Sequence, residues 1–318
     1  MQIRVTNPRN ALVRFAILAC AMIFTVAALP VYANVPDTSP NILVFLVDDM
    51  VWGDLGCYGH PFMITPNLDC LAEQGMRFTD CHSGSSICSP SRAAILTGRA
   101  PFRLGIWQLC GGTVHLRNQE VTIAEILKEK GYQTSFVGKW HLGSLNGKHP
   151  TPGDQGFDKW MVRAGGKFVT HAEPVPYTDG GSCDDVVQQS INLLKERNPD
   201  KPFFLEVCIR EPHTPLPPPQ RYMELYDNER VRRLEKFIRY GRVLRPSYVD
   251  GHPELARYYY GTVTQLDEAF GRLMDTLDSL DLRKNTLVFF TSDNGPEHPS
   301  VPTKSVTGHG ERLVFSGA

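Results

Sequence analysis

The sequence has no excess of either charge: 33 Lys and Arg residues oppose 34 Asp and Glu residues, for a formal net charge of −1. This balance gives no electrostatic reason to expect nucleic acid or an anionic membrane as the main partner. No segment repeats at a fixed period and no tract is low in complexity, which excludes repeat architectures. Hydrophobic residues make up 42% of the 318 positions, enough for one large core or a core with a small annex.

Residues 1–33 resemble a targeting segment rather than part of a fold. Positive residues precede an apolar run at 15–29, and small residues at 31–33 offer a cleavage site. A membrane anchor is the alternative, but the run is short and no second span follows. The apolar run continues past Cys20, which argues against lipid attachment there. We therefore predict a cleavable signal peptide and a secreted or periplasmic protein. The positive residues are Arg4, Arg9 and Arg14.

The cysteine count is odd once this leader is removed. Of eight cysteines, Cys20 leaves with the leader and seven stay, so at least one thiol has no partner within the chain. Cys88 is the candidate for a chemical role, because it lies near the start of a predicted helix with Arg92 one turn further on. The other six could form disulfides after export or could be buried free thiols, and both alternatives stay open. They are Cys57, Cys70, Cys81, Cys110, Cys183 and Cys208.

Apolar strands alternate with amphipathic helices along the chain. The predicted strands cover 41–47, 133–137, 202–208 and 285–290, and the predicted helices cover 66–74, 90–96, 122–130, 182–197 and 254–280. This alternation predicts an α/β sandwich in which helices flank a large, mainly parallel sheet. In such sheets, ligands bind beyond the carboxyl ends of the strands.

Polar side chains follow four of these predicted strands. Because the carboxyl ends of parallel strands meet at one edge, we expect the four clusters to form one site. The acidic members offer hard oxygen ligands, which suit calcium or magnesium rather than zinc. The alternative is that Asp and Asn serve only as turn residues. The clusters are Asp48 with Asp49, Lys139 with His141, His213, and Asp293 with Asn294.

The segment CSPSR at 88–92 places Cys88 near the start of a predicted helix. Free N–H groups and the helix dipole favour anions there, and Arg92 lies one turn further on. An activated thiolate and a buried structural cysteine are the two direct interpretations. Lys139 and His141 are two residues apart, so an extended segment would point both the same way, one to neutralise an anion and one to transfer a proton. His213 is a further candidate for proton transfer.

Four segments together resemble the sulfatase family of the alkaline-phosphatase-like superfamily, most closely its arylsulfatase A and N-acetylgalactosamine-6-sulfatase branch. The segments occur in the family's order, and the resemblance runs from about residue 40 to about residue 307. The run of CSPSR, LTGR and GKWHLG is the specific part. The four segments are PNILVFLVDDMVWGDLGCYG (40–59), CSPSRAAILTGR (88–99), GKWHLG (138–143) and FFTSDNG (289–295).

The resemblance implies an activity and a role for each matching residue. It implies a sulfuric ester hydrolase acting on sulfated carbohydrates or aryl sulfates, with Cys88 oxidised by a maturation enzyme to formylglycine, the nucleophile. Arg92 and Lys139 would stabilise the modified residue and the sulfate charge, while His141 and His213 would serve proton transfer and the leaving group. A calcium ion would be held by Asp48, Asp49, Asp293 and Asn294, beside the modified Cys88.

The sequence departs from the family's pattern in one respect, and two alternative functions stay open. Family members continue beyond the DNG segment with a second lysine and a C-terminal subdomain, and Lys304 lies too close to Asp293 to be that lysine. Residues 34–318 would then be the N-terminal catalytic domain alone. The alternative functions are a phosphoester hydrolase of the same superfamily and an inactive truncated remnant.

Basic residues at 230–245 could form a lid over a sulfated polysaccharide, although a solvated helix face is the preferred interpretation.

Overall fold

A computed structural model describes residues 39–178, 182–213, 218–232, 255–295 and 314–316. Nearly all of them belong to one compact unit formed by residues 40–318. The predicted leader at 1–33, most of the basic segment at 230–245 and Lys304 lie outside the described residues, so those predictions stand as made. No helix in the described ranges is long and apolar enough to cross a membrane.

One mixed sheet organises the fold. Within the described residues it has nine strands in the order β2-β9-β8-β1-β7-β3-β4-β5-β6. The strands are β1 (Asn41–Asp48), β2 (Met76–Arg77), β3 (Gln133–Gly138), β4 (Lys159–Ala164), β5 (Lys167–Thr170), β6 (Val175–Pro176), β7 (Phe203–Pro212), β8 (Thr286–Ser292) and β9 (Val314–Ser316).

The five central strands, β8-β1-β7-β3-β4, are parallel to their neighbours. Leu43 of β1 is in register with Leu205 of β7 on one side and Val288 of β8 on the other. Antiparallel strands extend the sheet at both ends, β5 and β6 beyond β4, and β9 and β2 beyond β8. The carboxyl ends of the central strands therefore share one edge, as the apolar runs predicted.

Helices begin where the sequence offers N-terminal signals. Pro66 opens the first helix at a position where its missing N–H costs nothing. Thr122 and Glu125 form a reciprocal capping box, and Ser182 accepts a hydrogen bond from the N–H of Asp184. The helices are α1 (Pro66–Gln74), α2 (Cys88–Thr97), α3 (Pro101–Leu104), α4 (Ile123–Glu129), α5 (Cys183–Lys195), α6 (Gln220–Glu224) and α7 (Leu255–Ser279), with 3-10 turns at Gly56–Tyr58, Gly153–Gln155 and Arg283–Asn285.

Helices cover both faces of the sheet, so it has two cores. Side chains alternate across β1: Leu43 and Phe45 pack with α1, α5 and α7, while Leu46 packs with α2, α3 and α4. The rings of Phe45 and Phe270 meet edge to face with centroids 5.2 Å apart. The predicted α/β sandwich is confirmed.

Two sequence expectations differ from the structure in detail. The predicted helix at 90–96 begins two residues earlier, at Cys88, because Ile87 is extended and Pro90 fits within the first turn, where no N–H is needed. No disulfide joins any of the seven cysteines in the described ranges. Of the two alternatives for the six beyond Cys88, the structure therefore does not show disulfides.

Candidate active site

The two acidic pairs meet because β1 and β8 are neighbours. Val47 pairs with Ser292, and the N–H of Asp293 donates to the carbonyl of Val47 at 3.0 Å. The N–H of Asp49 in turn approaches Oδ1 of Asp293 at 3.4 Å. The Asn294 amide donates to Oδ1 of Asp49. Residues more than 240 positions apart in sequence thus form one buried cluster.

A backbone reversal brings both Asp48 and Asp49 into this cluster. Consecutive residues of a strand normally point to opposite faces. The β1 register shifts between Leu46 and Asp48, and Asp49 has a left-handed φ of 64°, a conformation that Asp tolerates better than most residues. Asp48 contacts Lys139, while Asp49 contacts Asn294 and lies 3.6 Å from Nε2 of His213.

Two cations compensate the carboxylates. Arg92 is 2% exposed; its Nε donates to Oδ2 of Asp293 at 2.7 Å, and its guanidinium lies 3.6 Å from Oδ1 of Asp48. The Lys139 ammonium forms an ion pair with Oδ2 of Asp48. Burial opposes ionisation of Asp48, but the charges of Arg92 and Lys139 outweigh it and hold the pKa of Asp48 well below its usual range. Burial instead raises the pKa of Asp293 to about 7, against the charge of Arg92.

Cys88 lies beside this cluster at the first position of α2. Its Sγ and one carboxylate oxygen each from Asp48 and Asp293 all lie within 4.8 Å of one another. Burial and the charge of Asp48 raise the pKa of Cys88 to about 12. Burial and the neighbouring carboxylates thus disfavour the activated-thiolate interpretation for the unmodified residue.

His141 reaches the site by a different route from the one expected. Strand β3 ends at Gly138, and His141 has a left-handed φ of 55°, so the extended segment predicted for Lys139 and His141 does not exist. Burial, followed by the charges of Lys139 and Arg92, lowers the pKa of His141 to about 4. The imidazole is therefore neutral at pH 7. Its buried Nδ1 has no hydrogen-bond partner within the described residues.

The donor set fits a hard divalent cation. Oδ1 of Asp48 and Oδ1 of Asn294 are buried oxygens with no hydrogen-bond partner among the described residues. Asp49 and Asp293 add two further carboxylates; burial raises the pKa of each, and the nearby negative charge of Asp48 raises it further. Buried carboxylate and amide oxygens without hydrogen-bond partners, close to further negative charge, are suitable ligands for a calcium ion.

Four residues that support the site were not identified from the sequence. Ser91 donates to the carbonyl of Asp293, and Ser89 donates to the carbonyl of His141 at 2.6 Å. Ser292 accepts from the N–H of Met50 at 3.0 Å. A Cβ on Gly138 (φ 116°) would lie 1.9 Å from the carbonyl oxygen of Cys208. All four lie within the motifs CSPSR, GKWHLG and FFTSDNG, but their contacts join segments distant in sequence, so the sequence alone did not show their roles.

Comparison with known proteins agrees with this geometry. The sulfatase family model matches residues 40–312. The chain belongs to the sulfatase family. It is 33% identical over 320 residues to N-acetylgalactosamine-6-sulfatase of Canis lupus familiaris, covering 87% of this chain and 55% of that protein. It is 34% identical over 293 residues to human arylsulfatase A, covering 81% of this chain and 52% of that protein.

The resemblance extends to solved sulfatase-like folds. A structure in complex with its substrate D-glucosamine-2-N,6-O-disulfate superposes with a TM-score of 0.71 at 22% identity. The superposition covers 88% of this chain and 71% of that chain. At this identity the match establishes the fold alone. The chain spans about half the length of the curated relatives that it matches.

Proposed function

We propose that this protein hydrolyses sulfate esters through a formylglycine made from Cys88, with a calcium ion bound at the ends of β1 and β8. The observation that carries the proposal is the cluster itself. Asp48, Asp293 and the Cys88 sulfur lie within 4.8 Å of one another, with Arg92 and Lys139 beside them. Two acidic groups, two cations and a modifiable side chain suit the transfer of an anionic group.

Calcium would be held by Asp48, Asp49, Asp293 and Asn294, and it would polarise the sulfate and the nucleophile when bound. The hydrate of formylglycine at position 88 would supply one hydroxyl to attack sulfur, which breaks the bond from sulfur to the ester oxygen and releases the alcohol with a proton. The second hydroxyl would then lose its proton, and collapse to the aldehyde would break the carbon–oxygen bond to sulfate and release it; water would restore the hydrate.

Arg92 and Lys139 orient the reacting groups and offset negative charge. Arg92 is fixed by two carboxylates and by the Lys139 carbonyl, to which it donates at 2.8 Å, so it is preorganised rather than free to turn. His141 is neutral and buried, so it can accept a proton or hydrogen-bond the ester. His213 is 23% exposed next to Asp49, a position suited to the leaving group at the solvent side.

The substrate we propose is a sulfated carbohydrate or an aryl sulfate. The names of the relatives support it, since they describe sulfatases of an amino sugar and of aryl esters. A formylglycine-generating maturation enzyme is the implied partner, and export by the predicted leader at 1–33 would place the protein in the periplasm or outside the cell.

The test is mass spectrometry combined with paired kinetics. After co-expression with a formylglycine-generating enzyme, the tryptic peptide containing Cys88 should show conversion of the thiol to an aldehyde. The purified chain with calcium should then release nitrophenol from 4-nitrophenyl sulfate faster than from 4-nitrophenyl phosphate. Faster phosphate release would favour the phosphoester alternative. Full conversion of Cys88 with no turnover of either ester would favour the inactive remnant.

A further inference from the structure

A cavity of about 590 Å³ lies on the same edge of the sheet as the acidic cluster, at the end of β4. Two arginines from different strands line it, Arg163 of β4 and Arg210 of β7, and no role has been assigned to either. Its remaining walls are Ala164, Gly165, Gly166 and Tyr177.

The position of this cavity follows from the strand order. Along the edge, β1 carries Asp48, β7 carries Arg210, β3 is followed by Lys139, and β4 carries Arg163. Neighbouring strands are about 4.8 Å apart, so β1 and β4 are separated by roughly 14 Å. That separation places the cavity beside the proposed reaction centre, at a distance that suits a group on a neighbouring part of a substrate rather than the reacting sulfate itself.

The charge of Arg163 is incompletely compensated. Its side chain is 10% exposed, its Nη1 is buried without a hydrogen-bond partner among the described residues, and its ion pair with Glu211 is long, at 3.8 Å. Oε1 of Glu211, the atom in that ion pair, also accepts a hydrogen bond from the N–H of Cys183 at 3.1 Å. Burial raises the pKa of Glu211, which weakens it further as a counter-charge.

The turn between β4 and β5 keeps the cavity wall free of side chains. Ala164 pairs with Lys167, so Gly165 and Gly166 form a two-residue hairpin loop, with φ of 58° and 79°. Left-handed φ at both central positions is the geometry of a tight hairpin, and glycine adopts it without strain. Tyr177 completes the site with a ring that the Arg163 guanidinium overlies at 5.7 Å. An aromatic face, bare backbone and two guanidinium groups are a combination suited to a sugar that carries an anion.

We propose that Arg163 and Arg210 form a subsite for a second anionic group, a carboxylate or a sulfate, on a carbohydrate whose reacting sulfate lies at Cys88. This inference rests on the proposed function, because it makes the substrate an acidic oligosaccharide with at least two negative groups. Arg210 supplies the accessible charge and Arg163 the buried one.

Binding measurements can test the subsite without turnover. The probes are three oligosaccharides without a reactive sulfate at the cleavage position: one carrying a uronate carboxylate, one carrying a single sulfate, and one in which the carboxylate is reduced to an alcohol. Wild-type protein should bind at least one anionic probe roughly tenfold or more tightly than the neutral one, the value of one charge-assisted contact. Whichever anionic probe binds identifies the group.

The diagnostic variants are Arg210→Ala and the milder Arg210→Gln. Either should remove the preference for the anionic probe while leaving the affinity for the neutral probe as in wild type. Arg197→Ala is the matched control: Arg197 is also half-buried, but it lines a small cavity with Gln133 at the opposite edge of the sheet. An anionic preference that survives in both Arg210 variants, or its absence from the wild-type protein, would overturn the subsite.

Hydrolysis of 4-nitrophenyl sulfate by the wild-type chain separates the two proposals, because this ester has no second anionic group. Arg210-dependent binding without hydrolysis would reject the proposed function and leave an anion subsite. Hydrolysis without Arg210-dependent binding would support the proposed function and reject the subsite.

Discussion

Arg92 is the residue on which the charge balance of the site depends. It is buried, pairs with Asp293 at 2.7 Å and with Asp48 at 3.6 Å, and donates to the Lys139 carbonyl. A buried ion pair contributes little net stability, but removing one partner leaves an uncompensated buried charge. The same contacts fix the guanidinium for the proposed catalysis, so structure and chemistry both depend on this side chain.

Replacing Arg92 by Met should therefore destabilise the calcium-free protein by about 3–5 kcal/mol, measured by urea unfolding. Arg232→Met is the control, since Arg232 is 57% exposed where it pairs with Asp227, itself 37% exposed, and a surface pair contributes little to stability. Equal losses in the two variants would show that Arg92 does not compensate buried charge. Calcium should recover part of the Arg92→Met loss by supplying positive charge.

Gly138 occupies a position where a Cβ atom would not fit. Its φ is 116°, and an added Cβ would lie 1.9 Å from the carbonyl oxygen of Cys208, directly before Lys139. Gly138→Ala should lower the free energy of unfolding by about 3 kcal/mol, because it combines backbone strain with a collision against main chain.

Gly131→Ala is the matched control for this substitution. Gly131 also has a positive φ, 88°, but nothing lies within 4 Å of an added Cβ. It should cost only the backbone term, about 1–2 kcal/mol. Chemical denaturation of both variants measures the difference, and equal costs would contradict the collision.

At the scale of elements, Asp267 of α7 links two helices by hydrogen bonds to the amino end of α1. Its carboxylate accepts from the N–H of Leu68 at 2.8 Å and from the N–H of Asn67 at 3.2 Å, so it serves the amino end of α1 from another helix. Burial raises the pKa of Asp267 to about 6, although these hydrogen bonds oppose the shift. The folded protein therefore binds a proton here that the unfolded chain, near the ordinary value of 3.8, releases earlier.

Because the pKa of Asp267 is raised in the folded protein, the free energy of unfolding falls as pH rises. The stability that this proton provides is complete below pH 4 and is lost as pH rises through 6, by about 3 kcal/mol in all. Asp267→Asn should make the decline of the unfolding free energy between pH 4 and 7 shallower by this amount, while buried Asp54 and Glu206, whose pKa values are raised to about 7, contribute to the rest of it. Asp275→Asn, exposed on the same helix, should keep the wild-type slope. A wild-type slope in Asp267→Asn would contradict the assignment.

Strands and helices with strong sequence signals were predictable, and the contacts among them only in part. The apolar run at 41–47 and the stripe along α7 determine their elements locally, so their bounds were close to those observed. The left-handed residues Asp49 and His141 were not predictable, because tertiary contacts rather than local preference hold them there. Arg163 and Arg210 carried no sequence signal, since they meet only through the strand order.

At the scale of the whole molecule, the parallel sheet converts sequence separation into proximity. Asp48 and Asp293 are brought together because β1 lies between β7 and β8. The sequence predicted that these strand ends share one edge, since parallel connections allow little else. It did not predict which strands are neighbours, so the ion pairs of Arg92 and Lys139 with Asp48 could be learned only from the structure.

The most direct test of a calcium site at the carboxyl ends of the neighbouring strands β1 and β8 is calorimetric titration of the chain with Ca²⁺. We predict one bound ion per chain in the wild-type protein, and loss of binding in Asp293→Ala, with far-ultraviolet circular dichroism confirming that the variant is folded. Asn294→Ala, which removes one neutral ligand, should weaken binding without abolishing it. Wild-type calcium affinity in a folded Asp293→Ala variant would contradict the account.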